Sequence, residues 1–270
     1  MARDSTMWGS ATQQWAGAFL AAFDDEAFCR VRFNDSEAFI PAGSLVMMYH
    51  CLHLGDDSRF TVLVETEHLR WMIGQLKPGS IFLDVGSSIG EMTIPVALQR
   101  HDVSIYAFEP AKRARRLLLA TLRRNEITSV RVMPAAISNR TGVIPFLERD
   151  IDPSLACPWL PEASAIAQPA ADTPAGARIH EVAALTLDEF ARRNGIRGRH
   201  LVVKIDIEGF EIEALEGAQD FLRENVVDLA IDIHKRPGGE ELTEAGCREL
   251  LSPHGYRFEN MGHVLLCKSG

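Results

Sequence analysis

The stretch Ile81 to Leu98, IFLDVGSSIGEMTIPVAL, constrains this chain more than any other. Ile81 to Val85 is apolar and β-favouring, Gly86-Ser87-Ser88-Ile89-Gly90 is rich in small residues, and a helical pattern follows through Thr93, Ile94, Ala97 and Leu98. Strand, tight turn and helix in that order is how an α/β sheet presents a ligand at the start of a helix. Glycine allows positive φ and lets backbone N–H groups come close to a ligand, so Gly86, Ser88 and Gly90 are expected to line a binding turn. Asp84 stands at the carboxyl end of the strand, where a side chain reaches what the crevice holds.

Two cofactors are held this way, a dinucleotide and S-adenosylmethionine. The dinucleotide fingerprint wants G-x-G-x-x-G, but Gly86, Ser88 and Glu91 occupy its glycine offsets. D-V-G-x-x-x-G, from Asp84 to Gly90, resembles motif I of the class I methyltransferases instead. A purely structural turn is the third reading. The second strand, Val103 to Phe108, ends at Glu109-Pro110, about 20 residues on, where an acid can accept both ribose hydroxyl protons of an adenosine group. A carboxylate suits this because it offers acceptor oxygens and no donor. The competing reading is a carboxylate favoured by the dipole of the helix that opens at Lys112.

That helix, Lys112 to Asn125, carries Arg113, Arg115, Arg116, Arg123 and Arg124. It reads as a solvated face, since no aromatic residues interleave. A net charge of −9 likewise gives no electrostatic case for a nucleic-acid partner.

A second informative stretch is Leu201 to Gly209, LVVKIDIEG. Strand side chains alternate, so Lys204, Asp206 and Glu208 are expected on one face at the carboxyl end of a central strand. The next strand, Val226 to Ile233, brings Asp232 and His234 to its own carboxyl end. One helix is expected from Glu211 to Leu222, with Gly217 in its interior.

The rest of the chain arranges itself around these strands as one domain with additions. Residues 1 to 64 form an N-terminal extension. Trp8, Trp15, Phe19 and Phe23 recur at helical spacing, and Val31 to Ile40, broken at Asn34-Asp35-Ser36, reads as a small hairpin. The aromatic stripe packs on the core or makes a homo-oligomer contact. Residues 65 to 270 form the main domain. Val130 to Ile137 is expected as its third strand, and residues 151 to 177, rich in Pro and Ala around Trp159, as a long loop. Tyr256 to Glu259 and Val264 to Cys267 form a C-terminal antiparallel hairpin. The five cysteines are scattered and lack CxxC spacing, so they read as reduced thiols of a cytoplasmic protein. No apolar run reaches the ~18 residues of a membrane span.

Taken together, FLDVGSSIG, AFEP, AAIS, LTLDEF and VVKIDIEGFEIEALEGA resemble the FkbM-type methyltransferase family over about residues 65 to 234. K-I-D-x-E-G followed by E-x-x-x-L-x-G-A is the most specific part; motif I departs slightly, with Ser87-Ser88 where Ala-Asn is common. The resemblance implies an α/β, Rossmann-like class I methyltransferase fold, with a mostly parallel seven-stranded sheet closed by an antiparallel hairpin. It implies S-adenosylmethionine-dependent O-methylation of a small-molecule hydroxyl, on a sugar or secondary metabolite. It also implies an adenine contact near Ala136. On this reading Asp84, Gly86, Ser88, Gly90, Glu109, Ala136 and Asp206 bind the cofactor, while Asp206, His234 and Glu208 are catalytic. The hydroxyl proton would go to His234 or Asp206, since histidine ordinarily titrates near ~6.5. A Mg²⁺ variant would use Asp206, Glu208, Asp232 and His234 as ligands. The rivals are a non-catalytic S-adenosylmethionine-binding scaffold and an NAD-type oxidoreductase.

Overall fold

The computed structural model describes residues 27–34, 36–47, 52–54, 60–63, 66–149, 164–166 and 177–270. The expected aromatic N-terminal helix, with the homo-oligomer contact suggested for it, and Trp159 lie outside those residues. Strands β1 (Phe28–Phe33) and β2 (Ser36–Pro41) make the expected hairpin, turning at Asn34 with φ +48°. Helix α1 (Ala42–Met47) and strands β3 (Leu52–Leu54) and β4 (Phe60–Val62) complete a four-stranded sheet ordered β2-β1-β4-β3.

The main body begins with α2 (Thr66–Gln75), β5 (Ile81–Val85), α3 (Thr93–Gln99), β6 (Ser104–Phe108) and α4 (Lys112–Arg124). Next come β7 (Val130–Met133), β8 (Ala136–Ile137), β9 (Gly142–Arg149), β10 (Ser164–Ile166) and β11 (Ala177–Leu185). The chain ends through α5 (Leu187–Asn194), β12 (His200–Ile205), α6 (Glu211–Glu216), α7 (Gln219–Glu224), β13 (Val226–Asp232), α8 (Glu244–Leu251), β14 (Arg257–Met261) and β15 (Val264–Lys268). The central sheet has seven strands in the order β14-β15-β13-β12-β5-β6-β7. Its neighbours from β7 to β13 run parallel, and β15 is antiparallel to both β13 and β14. This is the expected α/β layout, a mostly parallel sheet with a C-terminal hairpin.

A parallel sheet must be covered on both faces, and the strands split their side chains accordingly. Phe82, Val202 and Ala230 enter one core, while Leu83, Val203 and Leu229 enter the other. Helix α4 buries Ala114, Leu117, Leu118, Thr121 and Leu122, the spacing of one helical stripe. The first core also takes in Val31, Phe33, Ile40 and Val62, so the described part of the extension is packed on the main domain. Asn125 fixes that docking. Its amide accepts from Phe39 N at 2.7 Å and donates to Phe39 O at 2.8 Å, satisfying backbone groups of the edge strand β2.

Four expectations need correction. The single strand Val130 to Ile137 is two, because Pro134 has no N–H to continue the ladder; β8 joins β11 in a second sheet ordered β10-β9-β11-β8. The stretch 151–177 contains β10, which pairs antiparallel with β9. The helix Glu211 to Leu222 is two short ones, α6 and α7, parted at Gly217-Ala218. β12 ends at Ile205, so Asp206 and Glu208 stand in the turn beyond it, where strand alternation no longer places them. Among the described residues no helix is long and apolar enough to cross a membrane.

Gly217 has a negative φ, and lack of space is what demands glycine there: a Cβ would lie 2.3 Å from Ser138 O and 3.1 Å from Thr186 Cβ. Gly217→Ala is therefore expected to destabilise the fold by about 1–3 kcal/mol, as overpacking does. Urea unfolding would read this as a lower midpoint at unchanged slope.

Candidate functional site

The carboxyl ends of β5, β6 and β12 meet at the glycine turn. Gly86 has φ +79°, and a Cβ on it would sit 1.9 Å from the backbone oxygen of Asp206, so only glycine fits between the exits of β5 and β12. Gly86 N and Ser87 N donate to Phe108 O at 3.1 and 2.9 Å, strapping the turn to the end of β6. Gly90, at φ +99°, faces Leu118 of α4, whose Cδ1 would lie 2.6 Å from an added Cβ. Helix α3 begins only at Thr93, so Gly90 belongs to the turn before the helix.

Glu109 closes this arrangement. Its carboxylate accepts from Ser88 N at 2.8 Å and from Ala111 N at 2.6 Å, tying the glycine turn to the entrance of α4. Arg115 steadies the same segment through Glu109 O and Pro110 O at 2.9 and 2.8 Å. Burial pushes the Glu109 carboxyl up to about 7, although the two N–H donors and the charges of Arg115 and Lys204 pull it back.

Asp84 is placed differently from expectation. It is fully buried, accepts from Thr93 Oγ1 at 2.5 Å and lies 3.8 Å from Lys204 Nζ. Its side chain therefore holds the turn from beneath and does not line the crevice. Burial raises its pKa, opposed by Lys204 and by the Thr93 hydrogen bond. Lys204 pairs in register with Asp84 and also donates to Asp206 Oδ2 at 2.9 Å and Gly86 O at 3.3 Å. Ala136 stands apart from the cluster. It is buried in β8 opposite Ala184, within the apolar core.

Beyond β12, acidic residues gather around one imidazole. His234 Nε2 lies 3.7 Å from Asp206, 3.8 Å from Glu208 and 4.0 Å from Asp232. Its Nδ1 meets Glu211 Oε1 at 3.0 Å. Asp232 is shared with His263, 3.4 Å away. Glu208 adopts φ +57°, and Gly209, next to it, would place a Cβ 2.4 Å from Lys235 O. Glu211, which sequence reasoning misses, is fully buried and accepts from Gly209 N at 3.0 Å and Ile207 N at 3.3 Å. The available signal was its place as the glutamate of the E-x-x-x-L-x-G-A run.

The electrostatics of His234 depart from those of a free histidine. Burial alone would lower its pKa, but the Glu211 hydrogen bond and the charges of Asp206, Glu211 and Asp232 outweigh that and push it up to about 9. Burial, then Asp206, push Glu208 up to about 7 against the pull of His234. The surrounding acids thus favour the protonated imidazole, and burial favours the protonated Glu208 carboxyl. One ligand atom each from Asp206, Asp232 and His234 lies within 4.8 Å of the others, and Glu208 is not part of that group. With Nδ1 engaged by Glu211, Nε2 faces the carboxylates, the orientation a metal-ligating histidine takes.

A group whose folded pKa is raised stabilises the fold fully below its unfolded value, near ~6.5 for histidine, and loses that contribution as pH rises. For His234 the loss runs up through about 9. Glu211→Gln keeps an oxygen for Ile207 N and Gly209 N but removes the charge. NMR titration of the imidazole is expected to show a lower His234 pKa, with stability less sensitive to pH over that window. An unmoved pKa would mean that Glu211 does not set the proton affinity.

Against this geometry, a family model described as the methyltransferase FkbM domain matches residues 84–258, from the buried Asp84 to Phe258 of β14. No curated protein matches the chain. Among solved structures, a methyltransferase FkbM from Methylobacillus flagellatus is 19% identical with a TM-score of 0.48; the match covers 72% of this chain and 45% of that one. This chain thus spans under half the length of that relative. A precorrin-6y C5,15-methyltransferase from Geobacter metallireducens is 12% identical over 76% of this chain and 87% of that one, with a TM-score of 0.41. A magnesium protoporphyrin IX methyltransferase from Synechocystis, solved with bound S-adenosylmethionine, is 10% identical over 76% and 77%, at a TM-score of 0.43. With the family model running from the glycine turn through the acid cluster to the C-terminal hairpin, this chain belongs to the FkbM methyltransferases.

Proposed function

We propose that this protein transfers a methyl group from S-adenosylmethionine to a hydroxyl oxygen of a small molecule. The observation that carries this reading is the contact of the two turns: the glycine turn stapled to Glu109 abuts Asp206, at the edge of the His234 cluster. A cofactor bound on the first turn lies next to side chains able to move a proton. An acid-lined crevice also suits a sulfonium cation.

Glu109 would accept the ribose hydroxyls and Gly86, Ser88 and Gly90 would shape the surface under the methionine part. The link from Met133 to Ala136 would flank the adenine. Asp84 and Lys204 hold the turn in place, and Asp206 would present its carboxylate between cofactor and acceptor. The methyl donor supplies an activated carbon. When bound, that donor would give its methyl carbon to the acceptor oxygen as the carbon–sulfur bond breaks, leaving a neutral thioether. The hydroxyl proton would go to Glu208 or Asp206, the carboxylates that lie 3.8 and 3.7 Å from His234 Nε2. Protonated His234 would hold Asp206 and Glu208 in place.

A second reading is favoured by the converging donors of Asp206, Asp232 and His234. Two carboxylates and one imidazole fit a divalent cation, which when bound would lower the pKa of an acceptor hydroxyl. Calorimetric titration with Mg²⁺ and Mn²⁺ after EDTA treatment separates the readings. Heat lost in Asp232→Asn supports the cation; no heat in the native protein removes it.

Titration with S-adenosylhomocysteine, repeated with NADH, tests the cofactor. Micromolar binding of the first alone is expected; binding of NADH alone would overturn the proposal. Ionised Glu109 accepts hydrogen bonds better than the acid, so affinity is expected to rise as pH increases through about 7 and to lose that dependence in Glu109→Gln. Glu208→Gln is expected to lower kcat by about 100-fold or more, the scale of general-base catalysis, at unchanged cofactor affinity. An unchanged kcat would remove Glu208 from the proton transfer.

A further inference from the structure

Arg115, the fourth residue of α4, stands half-buried against the segment that carries Glu109. Its Nη1 donates to Glu109 O at 2.9 Å and to Pro110 O at 2.8 Å, so one guanidinium holds two consecutive peptide groups. Carbonyl oxygens take up these donors without cancelling the charge. That charge acts through space on the Glu109 carboxyl and favours its ionised form. A cation this early in a helix opposes the dipole, and the first turn of α4 holds no acid to offset it. Helix stability alone therefore does not account for an arginine here.

What the ionised form offers follows from the acceptor sites of the carboxylate, about four in all, divided between its oxygens. Ser88 N takes up one on Oε2 and Ala111 N one on Oε1. Each oxygen keeps an acceptor site, which matches the paired hydroxyls of a ribose. Protonation would turn one of these acceptors into a donor and lose the match. Burial works toward that protonation, and the charges that oppose it are Arg115 from α4 and Lys204 from β12. Lys204 is divided, lying 2.9 Å from Asp206 and 3.8 Å from Asp84. Arg115, bonded to neutral carbonyls, keeps its charge for Glu109.

We infer that Arg115 is a positioning residue of the cofactor site: it fixes the chain at Glu109 and Pro110 and keeps the Glu109 carboxylate ready to accept both hydroxyls of a ribose. It acts through Glu109. The inference rests on the reading of Glu109 as the ribose acceptor, and goes beyond it by naming the group that makes this acid effective at neutral pH.

The test is calorimetric titration of the full chain with S-adenosylhomocysteine from about pH 6 to about pH 9, a range that brackets the Glu109 carboxyl. The proteins compared are the native chain, Arg115→Gln, Arg115→Lys, Glu109→Gln and Arg115→Gln/Glu109→Gln. Arg115→Gln keeps a donor for a carbonyl and removes the charge. Its affinity is expected to fall about fivefold at neutral pH, with the midpoint of the affinity–pH curve raised by roughly one unit, as for a carboxyl that loses a neighbouring cation. Most of the loss is expected to disappear at the alkaline end, whereas a merely structural role would leave it equal at every pH. Arg115→Lys keeps the charge and is expected to keep the midpoint; if Arg115→Gln fails to fold, a raised midpoint in Arg115→Lys overturns the inference. In the double variant the Arg115 change is expected to add nothing to Glu109→Gln, because its effect passes through that carboxyl. An unchanged affinity in Arg115→Gln, a loss that is equal at every pH, or additive losses in the double variant would overturn the inference and leave the cofactor proposal standing. Failure of S-adenosylhomocysteine to bind the native protein would remove both.

Discussion

The contact on which the crevice depends is the approach of Gly86 to the backbone oxygen of Asp206. The exits of β5 and β12 are pressed together so closely that no side chain fits between them. Asp206 N donates to Val85 O at 3.0 Å, and Lys204 reaches Gly86 O and Asp206 from below. The glycine turn and the acid cluster are thereby parts of one rigid junction. A larger residue at position 86 would push apart the strands that carry Asp84 and Lys204, and with them both halves of the site.

Two different devices keep carboxylates buried here. Glu109 is satisfied by backbone N–H groups, which hold its oxygens in place while its proton affinity stays close to neutrality. The acids beyond β12 are compensated by a charge, the proton on His234. That proton is itself secured by Glu211, whose oxygen also caps the turn carrying Glu208. A buried carboxylate without such partners would be expelled or neutralised, so Glu211 supports the cluster.

The arginines of α4 meet other elements of the fold. Read from sequence alone, the arginines of α4 form a solvated face. Arg115 instead binds the carbonyls of Glu109 and Pro110, Arg124 lies over the Phe39 ring, and Arg113 and Arg116 face the ribbon. A helix read alone cannot say what stands opposite it.

The local pattern alone determined the strand-turn-helix at Ile81 to Leu98, the strand exits at Glu109 and Asp232, the C-terminal hairpin and the small hairpin at Asn34. These follow from periodicity, glycine position and β propensity, which act over a few residues. Tertiary structure alone decided that Asp84 is sealed beneath the turn, that Gly217 divides a helix against Ser138, and that β8 leaves the central sheet. It also decided which residue holds the proton, because the pKa of His234 is set by Glu211, Asp206 and Asp232, brought to it from two other segments of the chain and from its own strand. Burial and charge act through space, and no spacing along the chain reports them.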